Sequence, residues 1–531
     1  MKPASKTLPT KLIDKVRRGV KTVAYGNPLY QRIISSGENI PDRLRFTLLD
    51  VWPGDAEAGR ALISGQGALF DLSLPQRHAV ALRNLRAVGS DAARQRARAL
   101  IEHWLQRYDH WNDVEWAPDV MGERIGAWIG SYEFFASNAA PEFIQRLTIS
   151  LHRQYKHLVR TVSPGISGVE GLRAIKGLVL CALNFDEGDK ALGLAAELIH
   201  RQLAAEILPD GGVRSRSPSA QLHMARHMID LRSIFKAAGI EVPVVLNTSI
   251  HAMIPALKML RHGDGGLALF HGSHEESPLL IDAVITQFAA KGRVIRRMPN
   301  MGYERFAAGR SLLIADCGAP PPRDHDAKGH AGLLGFEFGQ GRERLIVNCG
   351  AVAVATDEWR KACAATAAHS TITIEDTNAC EILETGGLGS AAHVTAHRFE
   401  QNGAHCLEMT HDAYRPQFGI VCQRRLCLSA DGDELQGVDT VSGAVGCGYA
   451  VRWHLHPSLQ ASIAHSGQTA LLRTPSGNGW RLRIEGRDLS LEPSVYCGSG
   501  APRRSLQIKV SGKTTAMTTE IIWNLTKEKK G

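Results

Sequence analysis

The hydrophobic pattern of this chain changes period once, and that change limits the folds open to it. Between about residues 40 and 262, apolar residues recur at the i, i+4 and i+7 spacing of amphipathic helices, most clearly in 93–108. After Arg261-His-Gly-Asp-Gly-Gly266, glycines become frequent and apolar residues alternate with polar ones, as β-strands require. A helical half followed by a strand half predicts two domains rather than one mixed sheet.

The helical half reads as antiparallel helix pairs joined by short polar turns. The predicted helices are 93–108, 120–135, 143–158, 172–183, 191–208, 218–238 and 245–260. No strict repeat is visible, which favours a closed or partly closed helical array over a regular solenoid. The clearest predicted strands in the second half are 311–314, 345–347, 371–374, 422–428 and 449–455.

These patterns predict four segments: a basic helical segment at 1–40, a helical domain at 41–265, a β domain at 266–526 and a tail at 527–531. In the first segment, a stripe of Leu12, Ile13, Val16, Val20 and Val23 runs among lysines and arginines. Such a stripe suits docking on the protein's own body, with weak contact to a membrane surface as the alternative.

The composition is that of a soluble globular protein, with 44% hydrophobic and 22% charged residues in 531. A net charge of +9 suits acidic partners, but no basic run is interleaved with aromatics, so nucleic acid is not expected. We find neither an apolar run of signal-peptide length nor a transmembrane stretch, which favours a cytoplasmic over a periplasmic location. The oligomeric state is left open, and no cofactor is predicted.

Cysteine usage points to the same compartment. The ten cysteines form no CxxC pairs, and several, such as Cys181, Cys349 and Cys427, lie in apolar helix or strand patterns. We expect them to be reduced core thiols, which is typical of a reducing compartment.

Two histidines are the first candidates for chemistry. His330 opens the stretch HAGLLGFE (330–337) and His369 lies in TAAHSTITI (366–374), each at or near the start of a predicted strand. Two imidazoles on neighbouring strands would suit proton transfer or metal binding. The alternative is that both are hydrogen-bonded structural residues.

Two other stretches of the β domain carry polar groups in suggestive patterns. Arg452, His454 and His456 share one face of a predicted strand, roughly 7 Å apart. That row suits an acidic sugar or a metal, or equally the solvated face of a sheet. The segment from His411 through Tyr414 to Arg415 reads as a loop at the edge of a substrate site.

Two glycine-containing loops supply further candidates. In DGGVRSRSPS (210–219), Arg214 and Arg216 lie at a predicted helix start, where guanidinium groups suit a carboxylate or sulfate. A purely structural turn explains the glycines but does not require both arginines. His262, in the loop 261–266, falls where the two predicted domains meet, which is a usual place for a cleft.

Several of these stretches together resemble the heparinase II/III-like polysaccharide lyase superfamily, and within it a poorly characterised bacterial branch. The matching elements, in family order, are DGGVRSRSPS, LRHGDGGLALFHG, HAGLLGFEFG, LIVNCG, TAAHSTITIED and HLHP. The resemblance implies an incomplete α/α toroid followed by an antiparallel β-sandwich. It also implies β-elimination on uronate-containing acidic glycans.

The same resemblance implies site residues, and here the chain departs from the family. His330 and His369 match the histidines of the sandwich domain. Three other family positions are substituted. Val169-Glu170 replaces an Asn-His pair, Ala220 or Gln221 replaces a tyrosine, and Ala364 replaces an arginine. The His-x-His-x-Asp pattern that helps to bind metal in some relatives is reduced to His330-Ala-Gly332, so no full ligand set supports a structural divalent metal.

Two readings of function therefore stand. In the first, the protein is a polysaccharide lyase in which Tyr303 or Tyr414 supplies the phenol and His330 or His369 the base, while Arg214 and Arg216 bind the uronate carboxylate. In the second, the lyase scaffold is inactive, and it either binds an acidic glycan without cleaving it or serves as a cytosolic structural or assembly factor.

Overall fold

The computed structural model describes residues 19–36, 40–66, 74–186, 188–287, 294–384, 386–389 and 392–528. It divides the chain into a helical unit of residues 1–206 and 223–250 and a β unit of residues 207–222 and 251–531. The chain thus changes unit three times, whereas the sequence pattern predicted one boundary at 265–266. The segment 207–222 is the reason, because it groups with the strands.

The predicted helices are present in the structure, except that the one predicted over 120–135 is divided at Ser131 into two. In chain order the bounds are α1 Pro28–Ser35, α2 Ala56–Ile63, α3 Gln76–Val88, α4 Asp91–Tyr108, α5 Pro118–Gly130, α6 Tyr132–Ala136, α7 Pro141–Thr161, α8 Gly168–Ala182, α9 Gly188–Glu206, α10 Pro218–Ala237, α11 Val244–Met259 and α12 Pro278–Thr286. Their starts follow local chemistry. The Ser90 hydroxyl caps α4 by accepting from Ala93 N at 3.2 Å. Proline occupies the first turn of both α5 and α7, where no helical N–H bond is lost.

Helices α5 and α8 approach closely because glycines face each other. A Cβ atom added at Gly122 would lie 2.1 Å from the carbonyl oxygen of Arg173. One added at Gly177 would lie 2.5 Å from the Cα atom of Gly122. Only glycine fits at this crossing, which brings the backbones of α5 and α8 together.

The β unit consists mainly of two antiparallel sheets. The strands are β1 Arg297–Met298, β2 Tyr303–Ala308, β3 Ser311–Asp316, β4 Phe336–Gln340, β5 Glu343–Val347, β6 Ile372–Ile374, β7 Val394–Gln401, β8 Ala404–His411, β9 Val421–Leu428, β10 Glu434–Ser442, β11 Gly448–Leu455, β12 Gln460–Ile463, β13 Thr469–Arg473, β14 Gly479–Ile484, β15 Ser490–Tyr496, β16 Arg503–Lys513 and β17 Thr518–Lys527. One sheet has the order β1-β2-β3-β4-β5-β11-β16-β15, with β6 also paired to β11. The other has the order β12-β13-β14-β17-β10-β9-β8-β7. Helices α13 Asp357–Ala364 and α14 Arg415–Phe418 lie in connections between strands.

Aromatic side chains join the two sheets. Phe336 and Trp453 of the first sheet contact Trp523 of the second, with ring centroids 5.8 and 5.4 Å apart. Phe338 meets Trp480 edge-on at 5.4 Å. Along β17, buried and exposed residues alternate, as expected for a strand with one face on a core. The predicted order, an incomplete α/α toroid followed by an antiparallel β-sandwich, is confirmed.

The cysteine prediction was wrong for one pair. Cys406 and Cys427 form a disulfide, because the antiparallel register of β8 and β9 sets them directly opposite each other. They are 21 positions apart, so sequence spacing alone does not show the pairing. Within the described ranges the other eight cysteines are free thiols, Cys181 and Cys349 among them.

The N-terminal stripe is described only in part. Leu12, Ile13 and Val16 lie outside the described residues, while Val20 and Val23 are 63% and 76% exposed. In the part of the chain that the structure describes, no helix combines the length and the apolar character needed to cross a bilayer.

Candidate functional site

The segment 207–222 anchors one side of the candidate site within the β unit. Gly211 has φ +79°, and a Cβ atom there would lie 2.1 Å from the carbonyl oxygen of Ala252. Asp210 accepts hydrogen bonds from the backbone N–H groups of Asn300 and Met301 at 2.7 and 2.9 Å. The glycine lets this loop approach α11 closely, and the aspartate holds it against the turn that precedes β2.

Arg216, predicted to bind a substrate carboxylate, is enclosed by the protein itself. Its side chain donates to the carbonyl oxygens of Met301 at 2.7 Å, Gly302 at 3.1 Å, Gly318 at 3.3 Å and Ala319 at 2.5 Å, and to the carboxylate of Asp316. The residue is 4% exposed. A guanidinium has five N–H groups, and these five bonds leave none for a ligand. Arg214 lies half-buried in the same turn.

Asp316 connects this arginine to a histidine. Its Oδ2 atom lies 3.2 Å from Nε2 of His271, and its other oxygen faces Arg216. Burial opposes ionisation of Asp316, but Arg216 and His271 outweigh it and hold the pKa of the carboxyl below its ordinary value. Sequence reasoning missed both Asp316 and His271. Asp316 ends a strand that is apolar from Leu312 to Ala315, and the only available signal for His271 was its place in the family stretch 260–272.

Three imidazoles follow in a row from Asp316. Nδ1 of His271 accepts from the backbone N–H of His330 at 3.2 Å, so its ring proton belongs on Nε2, which faces Asp316. Nε2 of His330 accepts from Gly272 N at 3.0 Å, so its proton belongs on Nδ1. The ring of His369 lies 5.1 Å from that of His330, centroid to centroid. In the described chain, Nε2 of His271, Nδ1 of His330 and Nε2 of His369 are buried, and none of the three has a partner with hydrogen-bond geometry.

Burial keeps all three imidazoles neutral. It is the main cause that lowers the pKa of His330 to about 3, with His271 and His274 adding to it. The pKa of His369 is held well below its ordinary value by burial and by His330. His271 is shifted in the same direction, although Asp316 opposes the change. Neutral imidazoles can accept a proton, but here they would have to do so in a buried, low-dielectric place.

The secondary structure around the two predicted histidines differs from the expected strands. His330 precedes β4 by six residues in an irregular segment, and His369 follows a 3₁₀ turn, Thr366–Ala368, ahead of β6. A Cβ atom at Gly332 would lie 2.5 Å from Cγ of His369, so the chain needs glycine there for the imidazole to fit. Packing therefore requires Gly332 of the HAG sequence, which is also part of the family motif.

Backbone strain is concentrated near these groups. Arg216, His271, Glu276 and Leu334 adopt positive φ values of 59°, 44°, 59° and 55°. Left-handed backbone is unfavourable for residues with a Cβ atom, and it persists only where the surroundings enforce it. Two of these residues, Arg216 and His271, contact the carboxylate of Asp316.

The two tyrosines proposed as the phenol are both committed to backbone hydrogen bonds. The hydroxyl of Tyr303 donates to the carbonyl oxygen of Arg216 at 2.7 Å, and that of Tyr414 to Thr377 O at 3.2 Å. Both side chains are buried. Burial is the main cause that raises the pKa of each phenol above its ordinary value. Each hydroxyl is thus hydrogen-bonded to a backbone carbonyl and not to His330 or His369.

The remaining candidates form separate contact sets. Nε2 of His262 lies 2.8 Å from the buried carboxylate of Glu337. Nδ1 of His411 accepts from Ala413 N at 3.2 Å, and burial lowers the pKa of this histidine to about 4 although Asp412 opposes the shift. Arg415, at the start of α14, is exposed.

Strand β11 is buried on both faces, so the solvated-face alternative was wrong. Arg452 donates to the hydroxyl of Thr373 at 2.7 Å. His454 contacts Ser494 through Nδ1 at 2.8 Å and the carbonyl of Ala367 through Nε2 at 2.9 Å. His456 lies beyond the strand end, 3.7 Å from the carboxylate of Glu275. These contacts do not form one shared row of binding groups.

The substituted family positions have structural contacts of their own. The amide of Gln221 accepts from Val213 N at 2.9 Å and donates to the carbonyls of Gly211 and Met253 at 2.8 and 3.1 Å. Ala364 accepts from Ala331 N at 2.8 Å, and Val169 and Glu170 lie in the first turn of α8. Within the described ranges, no three His, Cys, Asp or Glu side chains are grouped so that they could hold a metal ion.

Comparison with known proteins agrees with the fold. Residues 290–524 match the family model described as heparinase II/III-like, C-terminal. FtsZ-localized protein C of Caulobacter vibrioides is 32% identical over 530 residues, covering 92% of this chain and 91% of that protein. The crystal structure of heparinase III superposes with a TM-score of 0.72 at 12% identity, covering 93% of this chain and 88% of that one. A mutant heparan sulfate lyase HepC of Pedobacter heparinus gives 0.62 at 14% identity, with coverages of 94% and 88%.

Proposed function

This chain belongs to the heparinase II/III-like family, and we propose that within it the protein is a non-cleaving member that works as an assembly factor. The observation that carries the proposal is the enclosure of Arg216, whose five donor bonds all go to the protein. The residue predicted to neutralise a substrate carboxylate is used to hold the β unit together.

The chemistry of β-elimination explains why this matters. A lyase must neutralise the uronate carboxylate, remove the C5 proton and protonate the leaving oxygen. Among the proposed groups, Arg216 has no donor left for the first task, and the hydroxyls of Tyr303 and Tyr414 already donate to backbone carbonyls. The substitutions at Val169-Glu170, Ala220 and Ala364 support the same conclusion.

The relative with the long match supplies the direction of the proposal. It carries the name FtsZ-localized protein C, and its similarity extends over both units of this chain. We therefore propose that this protein also localises with FtsZ, in the cytoplasm, and that any acidic glycan it binds is held without cleavage. Fold likeness to heparinase III does not oppose this, because one scaffold serves different functions.

Two measurements test the proposal together. A fluorescent fusion in the native host should coincide with FtsZ, and purified protein should sediment with FtsZ polymers. Incubation with heparan, alginate and other uronate glycans should give no rise in unsaturated-uronate absorbance. Diffuse fluorescence together with no co-sedimentation would contradict the assembly role, and a rise in absorbance would contradict the absence of cleavage.

One observation favours the alternative, a working lyase with an unusual set of groups. His330 and His369 occupy the family's histidine positions, with rings 5.1 Å apart and one ring nitrogen of each without a hydrogen bond. In that case His369→Ala should abolish eliminative cleavage while leaving the melting temperature unchanged. If the wild-type protein binds a glycan but releases no unsaturated product, the lyase alternative fails.

A further inference from the structure

The helical unit contains a cluster of buried charged side chains, none of which is among the candidate lyase residues. Its members come from α3, α5, α8 and α10 and from the segment that precedes α2. They are Asp50, Arg83, Glu123, Arg173, Lys176, Arg226, His227 and Asp230. Ionised groups removed from water require compensating partners, so each member of such a cluster must be accounted for.

The acids at the centre of the cluster are fully engaged. One oxygen of Glu123 lies 3.0 Å from Nζ of Lys176 and the other 3.0 Å from the guanidinium of Arg226. Asp230 pairs with Lys176 at 3.3 Å and accepts from the indole N–H of Trp52 at 2.7 Å.

The outer arginine of the cluster is also matched. Asp50 pairs with Arg83 at 2.7 Å. The central and outer acids therefore balance the cations that touch them.

Arg173 is the exception. It is 6% exposed, and within the described part of the chain it donates no hydrogen bond and has no acidic oxygen within 4 Å. Its Nε atom and the Nε atom of Arg226 are both buried without a hydrogen-bond partner. Burial is the main cause that lowers the pKa of Arg226, and the charges of Arg83 and Arg173 lower it further. Glu123 acts in the opposite direction. Each of these two guanidinium groups thus has a buried donor without an acceptor.

The acids nearest to Arg173 do not remove this imbalance. Burial, followed by the charge of Glu170, raises the pKa of Asp119 above its ordinary value, although Arg173 acts in the opposite direction. A carboxylate in a direct pair with arginine would be shifted downward instead. Glu170 is exposed to solvent.

We propose that Arg173 binds an oxyanion group of a ligand in the helical unit. The chemical class is a carboxylate, sulfate or phosphate group, because the planar fork of guanidinium donors matches two oxygens of such a group. This site belongs to the helical unit, whereas the histidines belong to the β unit, and it requires no cleavage, so it goes beyond the assembly function. It assigns a ligand to a part of the chain where the family's Asn-His pair is replaced by Val169-Glu170.

The test uses the full-length protein at constant ionic strength, with chloride as the reference anion. Thermal melting and calorimetry are followed during titration with sodium sulfate, with inorganic phosphate and with an unsulfated uronate tetrasaccharide. At least one of them should raise the melting temperature of the wild-type protein above the chloride control. A response to the tetrasaccharide identifies a glycan carboxylate as the source, and a response to the inorganic anions alone identifies a free oxyanion.

The variants separate binding from folding. Arg173→Gln should weaken binding at least tenfold, while its melting temperature without ligand stays the same or rises because an unpaired charge is gone. Arg146→Gln is the matched control, since Arg146 is half-exposed and pairs with Glu102. Asp119→Asn keeps Arg173 and removes a nearby negative charge, so it should strengthen binding about threefold or more.

The proposal is overturned if no anion stabilises the wild-type protein beyond chloride. It is also overturned if Arg173→Gln binds as tightly as Arg146→Gln. Should Arg173→Gln not fold, Asp119→Asn decides the question, because unchanged or weaker binding by that variant contradicts a site at Arg173.

Discussion

At the scale of single residues, burial of a charged side chain is tolerated where all of its donors find acceptors, and Arg216 meets that condition. Replacing Arg216 with Met would leave Asp316 buried without its cation and four carbonyl oxygens without a donor. We expect the free energy of unfolding to fall by roughly 3–5 kcal/mol, which is the usual effect of breaking a buried ion pair. Urea denaturation followed by tryptophan fluorescence measures the change.

Arg415 provides the control for this prediction, because it is exposed at the start of α14. Arg415→Met should change stability by less than about 0.5 kcal/mol, as surface substitutions usually do. If Arg216→Met is as stable as Arg415→Met, the structural role of the buried arginine is wrong.

Buried histidines should also make the β unit sensitive to mild acid. Burial is the main cause that lowers the pKa of His330 to about 3 and those of His411 and His454 to about 4, from ordinary values of 6.5. As pH falls below 6.5 the unfolded chain binds these protons first, so the free energy of unfolding must decrease toward pH 4. Each histidine contributes at most about 1.4 kcal/mol per pH unit in that window.

The variant His411→Asn tests this sign and size. The asparagine oxygen can replace Nδ1 as the acceptor from Ala413 N, but it does not titrate. Between pH 6.5 and 5 the variant should lose less stability than the wild-type protein, by roughly 1.6 kcal/mol in total. Identical pH profiles from denaturation at closely spaced pH values would argue against neutral burial of His411.

Residue roles were only partly readable from the sequence. The family stretches located His330 and His369 because local sequence carries the motif. Arg216 was misread as a ligand clamp, because its partner Asp316 is 100 positions away and no local pattern links the two. The hydrogen bond of Tyr303 was unpredictable for the same reason, because its acceptor is the backbone carbonyl of residue 216.

At the scale of elements, the crossing of α5 and α8 depends on glycine and offers a matched pair of substitutions. Gly122→Ala would bring a Cβ atom to 2.1 Å from the carbonyl of Arg173, whereas Gly193 in α9 has no atom within 4 Å of an added Cβ. We expect Gly122→Ala to destabilise the helical unit by more than about 1 kcal/mol, as overpacking does. Gly193→Ala should instead stabilise it by roughly 0.5–1 kcal/mol, because alanine loses less entropy in a helix.

Chemical denaturation of both variants, read by far-ultraviolet circular dichroism, gives the comparison. Equal effects of the two alanines would mean that α5 and α8 are not in close contact at Gly122.

The positions of helices were predictable where the spacing of apolar residues alone determines them. The stripes at 143–158 and 172–183 became α7 and α8, because an amphipathic face must be buried whatever its partner. Pairing between strands was not predictable, since the register that sets Cys406 against Cys427 depends on the turn between β8 and β9 and on their shared core.

At the scale of the whole molecule, the route of the chain differs from the single boundary that the change of period predicted. Residues 207–222 lie between two parts of the helical unit in sequence but belong to the β unit. Local hydrophobic period identifies what an element is, not which core a connecting loop joins. The loop joins the β unit through Arg216, through Ser219, whose hydroxyl donates to Glu276 at 2.6 Å, and through the acceptor it offers to Tyr303.

This division predicts that the β unit is incomplete without its inserted loop. A fragment of residues 251–531 lacks only 207–222 from that unit, so Asp316 loses its arginine and Tyr303 loses its acceptor. The fragment should therefore melt well below the β unit of the full chain, and a synthetic peptide of residues 207–222 should raise its melting temperature in a saturable way. The same peptide with Arg216→Met should have little effect, because it cannot restore the buried pair. A fragment that melts like the full chain and ignores both peptides would show that the loop contributes nothing to the stability of the β unit.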